Sequence, residues 1–272
     1  MELSKDIENL CAEIFESKKY ATLYKPLVLR ICEEEYKKYA NKKERIKGVK
    51  NTLHAMFGAY FTPDCYKKAN KLIEKMNSEG ENKDEILEHL LRLHVSTKER
   101  MAYLEKFYHF IFENTGQVKS ILDMGCGLNP LTLSYMPNNS EIVEYHAFDI
   151  DTRIAELNNR YFAFLGLPAL AGCADIAAET PQVAADVAFL FKLLPLIERQ
   201  AKGRVVQLLK EIDAKHIVVT YPTKSLSGKN KGMRTFYASA FEEMFESLAG
   251  EGLEISAKGE VGDELIYVVR RS

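Results

Sequence analysis

The chain has 272 residues, 46% of them hydrophobic and 28% charged, with a formal net charge of −2. That length allows one large domain or two small ones with a genuine core. No apolar run approaches the roughly 20 residues a membrane helix needs, and the acidic opening Met1-Glu2-Leu3-Ser4-Lys5-Asp6 lacks the apolar centre of a secretion signal. A cytoplasmic protein without a membrane partner is expected. Cys11, Cys32, Cys65, Cys126 and Cys173 form no CxxC pair, so they read as reduced, mostly buried thiols, and no metal is expected.

The charge is uneven along the chain. Residues 18–75 hold 15 Lys/Arg against 6 Asp/Glu, a local +9, and the remainder is −11. A localised basic region points to an anionic partner such as nucleic acid. An ordinary solvated helical surface has the same composition.

In chain order, residues 1–115 read as helical. Segments near 3–16, 25–39, 43–57, 63–76 and 83–112 carry apolar residues at helical spacing, as in Ile7, Leu10, Ile14 and in Ile86, Leu87, Leu90, Leu91. Thr62-Pro63-Asp64 is a helix start, with Thr62 as N-cap and Pro63 first in the helix. Asn77–Gly80 reads as a loop. From about residue 118 short apolar runs alternate with amphipathic helices. Strands are expected at Ser120–Met124, Tyr145–Ile150, Ala169–Cys173, Asp186–Phe191 and Ile217–Tyr221, and helices at Thr152–Leu165, Glu198–Ile212 and Phe236–Leu248. Leu253–Lys258 and Glu264–Arg270 make a terminal strand pair. This alternation implies an α/β fold: a doubly wound, mainly parallel Rossmann-like sheet with an antiparallel edge. The expected division is an all-helical domain at 1–115 and a catalytic domain at 116–272.

Asp123-Met124-Gly125-Cys126-Gly127 follows the first strand, where such sheets bind ligands. A dinucleotide fingerprint wants a glycine at position 130, but the chain has Asn129-Pro130, an N-cap followed by a first helical residue. Asp149 ends the second strand, where a carboxylate accepts from both ribose hydroxyls. Asp175 closes the third, where a side chain meets an adenine edge. An Asp-x-Gly-x-Gly turn followed by two strand-end acids is the pattern of a class I S-adenosylmethionine (SAM) methyltransferase domain. The fourth strand ends Phe191-Lys192-Leu193-Leu194-Pro195, without the Asn/Asp-Pro-Pro-aromatic motif of exocyclic-amine enzymes. Neither Cys126 nor Cys173 ends the fourth or fifth strand, so no cysteine is placed to attack a cytosine ring. An acceptor that is already nucleophilic remains, such as guanine N7, which carries a lone pair and no proton. No general base is then required.

Several strings together resemble the Arm/Rmt family of aminoglycoside-resistance 16S ribosomal RNA guanine-N7 methyltransferases. They are His94-Val95-Ser96-Thr97-Lys98-Glu99-Arg100, Asp123–Leu131, Phe191–Glu198 and Tyr221-Pro222-Thr223-Lys224-Ser225-Leu226 with Gly228-Lys229 and Lys231-Gly232-Met233. Glu264-Leu265-Ile266-Tyr267, Ser17-Lys18-Lys19-Tyr20 and Gly58-Ala59-Tyr60 belong to the set. The resemblance spans about residues 17–270, and residues 136–144 depart from it. It implies SAM as cofactor and the 30S subunit's 16S rRNA as partner, with methylation of a decoding-site guanine and aminoglycoside resistance as its consequence. It implies docking of the helical region on rRNA through residues such as Lys18, Lys19, Lys67, Lys68 and Lys71. It places His94 and Ser96 near the cofactor beside Asp123, Gly125, Gly127, Asp149 and Asp175, and gives Arg100 the cofactor carboxylate, which a guanidinium fork suits. Lys224, Lys229, Lys231 and Arg234 would hold RNA. Phe191, Lys192 and Tyr221 end strands where they could position a flipped base. Two other readings fit the same residues: a SAM enzyme for another rRNA position, such as adenine N1, and a non-catalytic RNA-binding assembly factor.

Overall fold

The computed structural model describes residues 2–57, 62–76, 78, 80, 82–168, 170–224 and 232–272. Its strands are β1 (Ser120–Met124), β2 (Glu144–Asp149), β3 (Ala171–Cys173), β4 (Ala185–Phe191), β5 (Ala214–Pro222), β6 (Leu253–Val261) and β7 (Glu264–Arg271). They form one seven-stranded sheet in the order β3-β2-β1-β4-β5-β7-β6. The first five are mutually parallel, and β7 runs antiparallel to both β5 and β6. The short apolar runs at β1 and β4 are buried almost throughout, as central parallel strands must be. At the edge, β6 alternates between half-buried and exposed residues along its length, the period-2 pattern of a strand covered on one face. Strand order reverses between β1 and β4, so a crevice opens at their carboxyl ends.

The helices are α1 (Glu2–Phe15), α2 (Lys25–Lys38), α3 (Lys42–Phe57), α4 (Pro63–Met76), α5 (Lys83–Leu91), α6 (Val95–Arg100), α7 (Leu104–Thr115), α8 (Thr152–Leu165), α9 (Leu194–Gln200), α10 (Arg204–Glu211) and α11 (Met233–Glu246). Those before β1 fall into two groups. Leu10, Ile14, Leu27, Ile31 and Leu53 make a separate core for α1, α2 and α3. Ile73, Leu90, Leu91, Phe107 and Ile111, from α4, α5 and α7, instead share a core with Ile121, Phe189 and Val268 of the sheet. The first group meets the sheet at the turn after β2. There Tyr24 N donates to Ile150 O at 2.8 Å, and Thr152 N donates to Thr22 O at 2.9 Å.

Two stretches expected as single helices are broken. The 83–112 stretch divides after α5, because the Thr97 hydroxyl donates to the carbonyls of Leu91 and His94 (2.5 and 3.0 Å) and folds the chain into the short α6. The 198–212 stretch divides into α9 and α10 around Gly203, whose φ of 81° interrupts the helix. At the start of α4 the Thr62 hydroxyl accepts from Cys65 N at 3.3 Å, the expected cap. After β1 the chain forms a 3-10 helix over Asn129–Tyr135, capped by Leu128 rather than by Asn129. The Asn129 side chain is engaged elsewhere, below the crevice.

Ile31 is fully buried in the α1–α3 core. Ile31→Ala is expected to cost about 2–4 kcal/mol from lost burial and an unfilled cavity, read as a lowered urea midpoint at unchanged slope.

Candidate functional site

The crevice is built from the ends of β1, β2 and β4 and the segment after β3. The space inside it, counted out to its open mouth, is about 930 Å³. At the end of β1, the Gly125 and Cys126 amides donate to Phe148 O of β2 at 2.8 and 3.0 Å. Gly125 and Gly127 have φ of 66° and 51°. A Cβ on Gly127 would lie 2.8 Å from the His94 ring, and one on Gly125 2.8 Å from a Leu193 methyl. Only glycine gives the turn both this conformation and this space.

Asp149 lines the crevice at the tip of β2. Its Oδ2 accepts from Gly127 N at 2.9 Å, and its Oδ1 from the Ile150 and Asp151 amides at 2.7 and 3.1 Å. Burial pushes its pKa up to about 6 against the lowering effect of these donors. Asp175 lines the same wall, but both its oxygens also accept from Arg30 of α2, at 2.6 and 3.0 Å. His94, Ser96, Phe191 and Lys192 also line the crevice. Burial, reinforced by Lys192 and Arg100, lowers the His94 pKa to about 3, so the imidazole is neutral at physiological pH. Lys192 has a φ of 56°, a conformation rarely adopted by a side-chain-bearing residue. Its amide donates to Thr220 O at 3.0 Å, and its Nζ lies 3.0 Å from Glu99 Oε2 and 3.7 Å from Glu264 Oε1.

The other candidates lie outside the crevice lining. Arg100 is 1% exposed. Its Nε and one terminal nitrogen donate to the two oxygens of Glu264 at 2.8 and 2.9 Å, and the other donates to Asn129 Oδ1 at 3.1 Å. Two nitrogens of its fork are engaged by Glu264. Asp123 is buried below the glycine turn, accepting from Asn129 Nδ2 (2.8 Å) and the Tyr145 hydroxyl (2.7 Å); burial raises its pKa to about 6. Tyr221 faces the other side of the sheet. Its ring stacks on Tyr237 at 5.1 Å and packs against Phe241 and Tyr267, so apolar packing takes the face that a base would need.

Of the basic candidates, Lys18, Lys67, Lys68 and Lys71 are exposed. Lys19 Nζ lies 2.8 Å from His54 Nδ1, Lys224 pairs with Asp263, and Arg234 pairs with Glu260 at 2.6 Å. Lys229 and Lys231 lie outside the described residues. Among the described residues, no group of three or more His, Cys, Asp or Glu side chains is placed to hold a metal ion, and no helix is long and apolar enough to cross a membrane.

Sequence reasoning missed Glu264 and Arg30 as members of this constellation. Glu264 had a signal, since it opens an otherwise apolar strand, Leu265-Ile266-Tyr267-Val268-Val269, and a lone acid entering such a run needs a buried partner. Arg30 had none, because it looks like any other charge on an amphipathic helix.

The sheet order, the glycine turn, the acid at the tip of β2 and the acid in the segment after β3 define a class I SAM-dependent methyltransferase. The chain belongs to the ribosomal RNA methyltransferase (FmrO) family, whose model matches residues 16–268. It is 34% identical over 271 residues to a 16S rRNA (guanine(1405)-N(7))-methyltransferase of Serratia marcescens, covering 98% of this chain and 99% of the relative. It is 31% identical to a protein of the same description from Micromonospora rosea, covering 97% of each. Among solved structures it is similar to the 16S rRNA methyltransferase RmtF in complex with S-adenosyl-L-homocysteine (TM-score 0.86, 30% identity, 98% of both chains). It is also similar to the 16S rRNA methylase RmtB (TM-score 0.81, 30% identity, 98% of both chains).

Burial alone would raise the Glu264 pKa, but Arg100 and Lys192, with hydrogen bonds from Arg100 and Thr220, hold it below the usual value. A carboxylate with a depressed folded-state pKa contributes stability above its unfolded value, roughly 4.3, and loses it as pH falls through the folded value. Glu264→Ala is expected to cost about 3–5 kcal/mol at pH 7, because it strands the buried guanidinium. In denaturation across pH, the deficit should shrink as pH falls below about 4.

Proposed function

We propose that the chain methylates N7 of guanine 1405 in 16S ribosomal RNA, with the 30S subunit as substrate and aminoglycoside resistance as the consequence. The observation that carries this reading is the full-length match. Relatives described by that activity align over 97–98% of the chain, so the helices before β1 are matched together with the catalytic sheet. The crevice fits the cofactor: the glycine turn lines it at Gly125 and Gly127, and a preoriented carboxylate stands beside the turn at Asp149. When bound, SAM supplies a methyl group on a sulfonium sulfur.

The chain's own residues orient, enclose and balance charge. Asp149, held by three backbone amides, keeps one acceptor position on Oδ2 for a ribose hydroxyl. Asp175 meets the adenine edge. Leu193, Leu196 and Ile197 give the pocket an apolar wall that excludes water. At the mouth, Phe191 and Lys192 position the target base beside His94 and Ser96. Guanine N7 attacks with its in-plane lone pair, the new N–CH3 bond forms as the S–CH3 bond breaks, and the base takes up the positive charge without losing a proton. No side chain needs to accept a proton, which agrees with a His94 whose pKa, lowered to about 3, makes it a weak base. Exposed lysines of the N-terminal region, including Lys18, Lys67, Lys68 and Lys71, dock on rRNA phosphates, so binding to the subunit weakens with salt.

Incubating purified 30S subunits with labelled SAM and mapping the product should place one methyl on guanine N7. Methyl on adenine would assign the chain to another rRNA position, and no transfer despite cofactor binding would favour an assembly factor. With donor saturating, the single-turnover rate should stay nearly flat from about pH 6.5 to 8.5, because no histidine or cysteine titrating at its ordinary value, about 6.5 or about 8.5, gates the step. A steep bell-shaped profile removed by one substitution would indicate a proton-losing acceptor instead.

Asp149→Ala should weaken SAM binding by about 1–3 kcal/mol in calorimetry, the worth of hydrogen bonds to a charged acceptor. Because its pKa stands near 6, wild-type affinity should rise as pH increases from about 5 to 7 and then level off. In the alanine variant that rise should be absent.

A further inference from the structure

Arg30 is a residue of α2, which packs Leu27, Val28, Ile31 and Cys32 inward. Residue 30 lies off that apolar stripe and reaches across to the crevice. Its side chain is 20% exposed, and that of Asp175 is 5% exposed. The guanidinium makes four hydrogen bonds in three directions. Nε donates to Asp175 Oδ2 at 2.6 Å, and one terminal nitrogen donates both to Asp175 Oδ1 and to Gln200 Oε1, each at 3.0 Å. The other terminal nitrogen donates to Glu34 Oε1 at 2.8 Å, one helical turn further along α2. Asp175 and Gln200 both line the crevice, yet they come from the segment after β3 and from the end of α9. A cation from a third element therefore joins two walls of the donor pocket.

We propose that Arg30 is a cofactor-positioning residue, setting the orientation of Asp175 and the spacing to Gln200 at the end of the pocket that takes the adenine. The proposal rests on the reading that Asp175 faces that base. Each carboxylate oxygen accepts two hydrogen bonds. A planar fork that occupies one lone pair on each fixes the carboxylate plane and leaves the outer pairs for an exocyclic amine. Without the fork, Asp175 is free to rotate, and ordering it on binding costs affinity. Lysine keeps the charge but offers no rigid bidentate geometry, and it cannot reach both acceptors in one plane. The effect is specific to the amine of the base, because Arg30 does not line the crevice and touches the ligand only through Asp175 and Gln200.

The test uses the full-length protein and two ligands, S-adenosyl-L-homocysteine and S-inosyl-L-homocysteine, in which a carbonyl replaces the adenine amino group. Calorimetry on wild type should show clear preference for the adenine ligand. Arg30→Met should weaken that ligand about tenfold and bring the two ligands to within about threefold of each other. A loss of pocket shape alone would weaken both ligands equally and overturn the proposal, as would unchanged affinity. If Arg30→Met does not fold, Arg30→Lys serves, with discrimination again expected to fall and unchanged discrimination overturning the proposal. Asp175→Asn separates the two levels. If it weakens the adenine ligand while the Arg30 variants do not, the positioning role alone fails. If it leaves both ligands unaffected, the assigned orientation of the donor fails, and the proposal with it.

Discussion

A guanidinium and a carboxylate, Arg100 and Glu264, meet below the crevice with each side chain 1% exposed. Taking both charges out of water is expensive, and mutual attraction offsets it only when the geometry is good and the remaining donors and acceptors are satisfied. Here the pair is bidentate, Thr220 donates a further bond to Glu264 at 2.8 Å, and Asn129 takes the third guanidinium nitrogen. The rings of Phe107 and Phe191 lie 4.4 and 4.8 Å from the guanidinium carbon, adding cation–π attraction in a dry setting. These partners come from α6, α7, the segment after β1, β4, β5 and β7. The pair therefore fixes the relative placement of the strand ends where the pocket opens. Through Asn129 it continues to Asp123 and Tyr145, so the floor under the glycine turn belongs to the same network.

On that floor the walls are prepared in different ways. Asp149 is oriented by backbone amides, which are fixed once the strand and its turn have formed. Asp175 is oriented by a side chain from a distant helix. His94 is held neutral by burial and by two cationic neighbours. The result is a site suited to positioning and to exclusion of water rather than to proton transfer. An acceptor that loses no proton asks for nothing more. The left-handed Lys192 at the mouth carries a local conformational cost of a kind that clusters at functional sites.

The N-terminal basic excess is less uniform in the fold than in the composition. Arg30 is engaged inside the molecule, Lys38 and Lys42 pair with Glu35 and Glu13 at 2.7 and 2.6 Å, and Lys19 approaches His54. Lys67, Lys68 and Lys71 stay exposed on α4, with Lys67 only 3.9 Å from Asp64. Since α4 shares its core with the sheet, charge on its outer face is mechanically part of the catalytic half.

Local sequence determined a good deal of this protein. Apolar runs of strand length and the Asp123–Gly127 turn located the sheet, the crevice and the acids at the tip of β2 and just after β3. These features depend on residues adjacent in the chain: period, φ preference and strand ends. Tertiary structure decided what depends on residues far apart. Arg100 and Glu264 are 164 positions apart, and Arg30 and Asp175 are 145 apart. No local pattern distinguishes an arginine that binds a ligand from one that neutralises a buried acid. Tyr221 shows the same limit: β5 could be read as a strand, but which face its last aromatic residue presents was set by packing against Tyr237 of α11. The helix expected over 198–212 also broke. Gly203 in a left-handed conformation ends the helix there, and Ile197 of α9 and Leu208 of α10 are buried in one core cluster. Side-chain pairing across long loops rests on tertiary contacts, which a one-dimensional pattern does not contain.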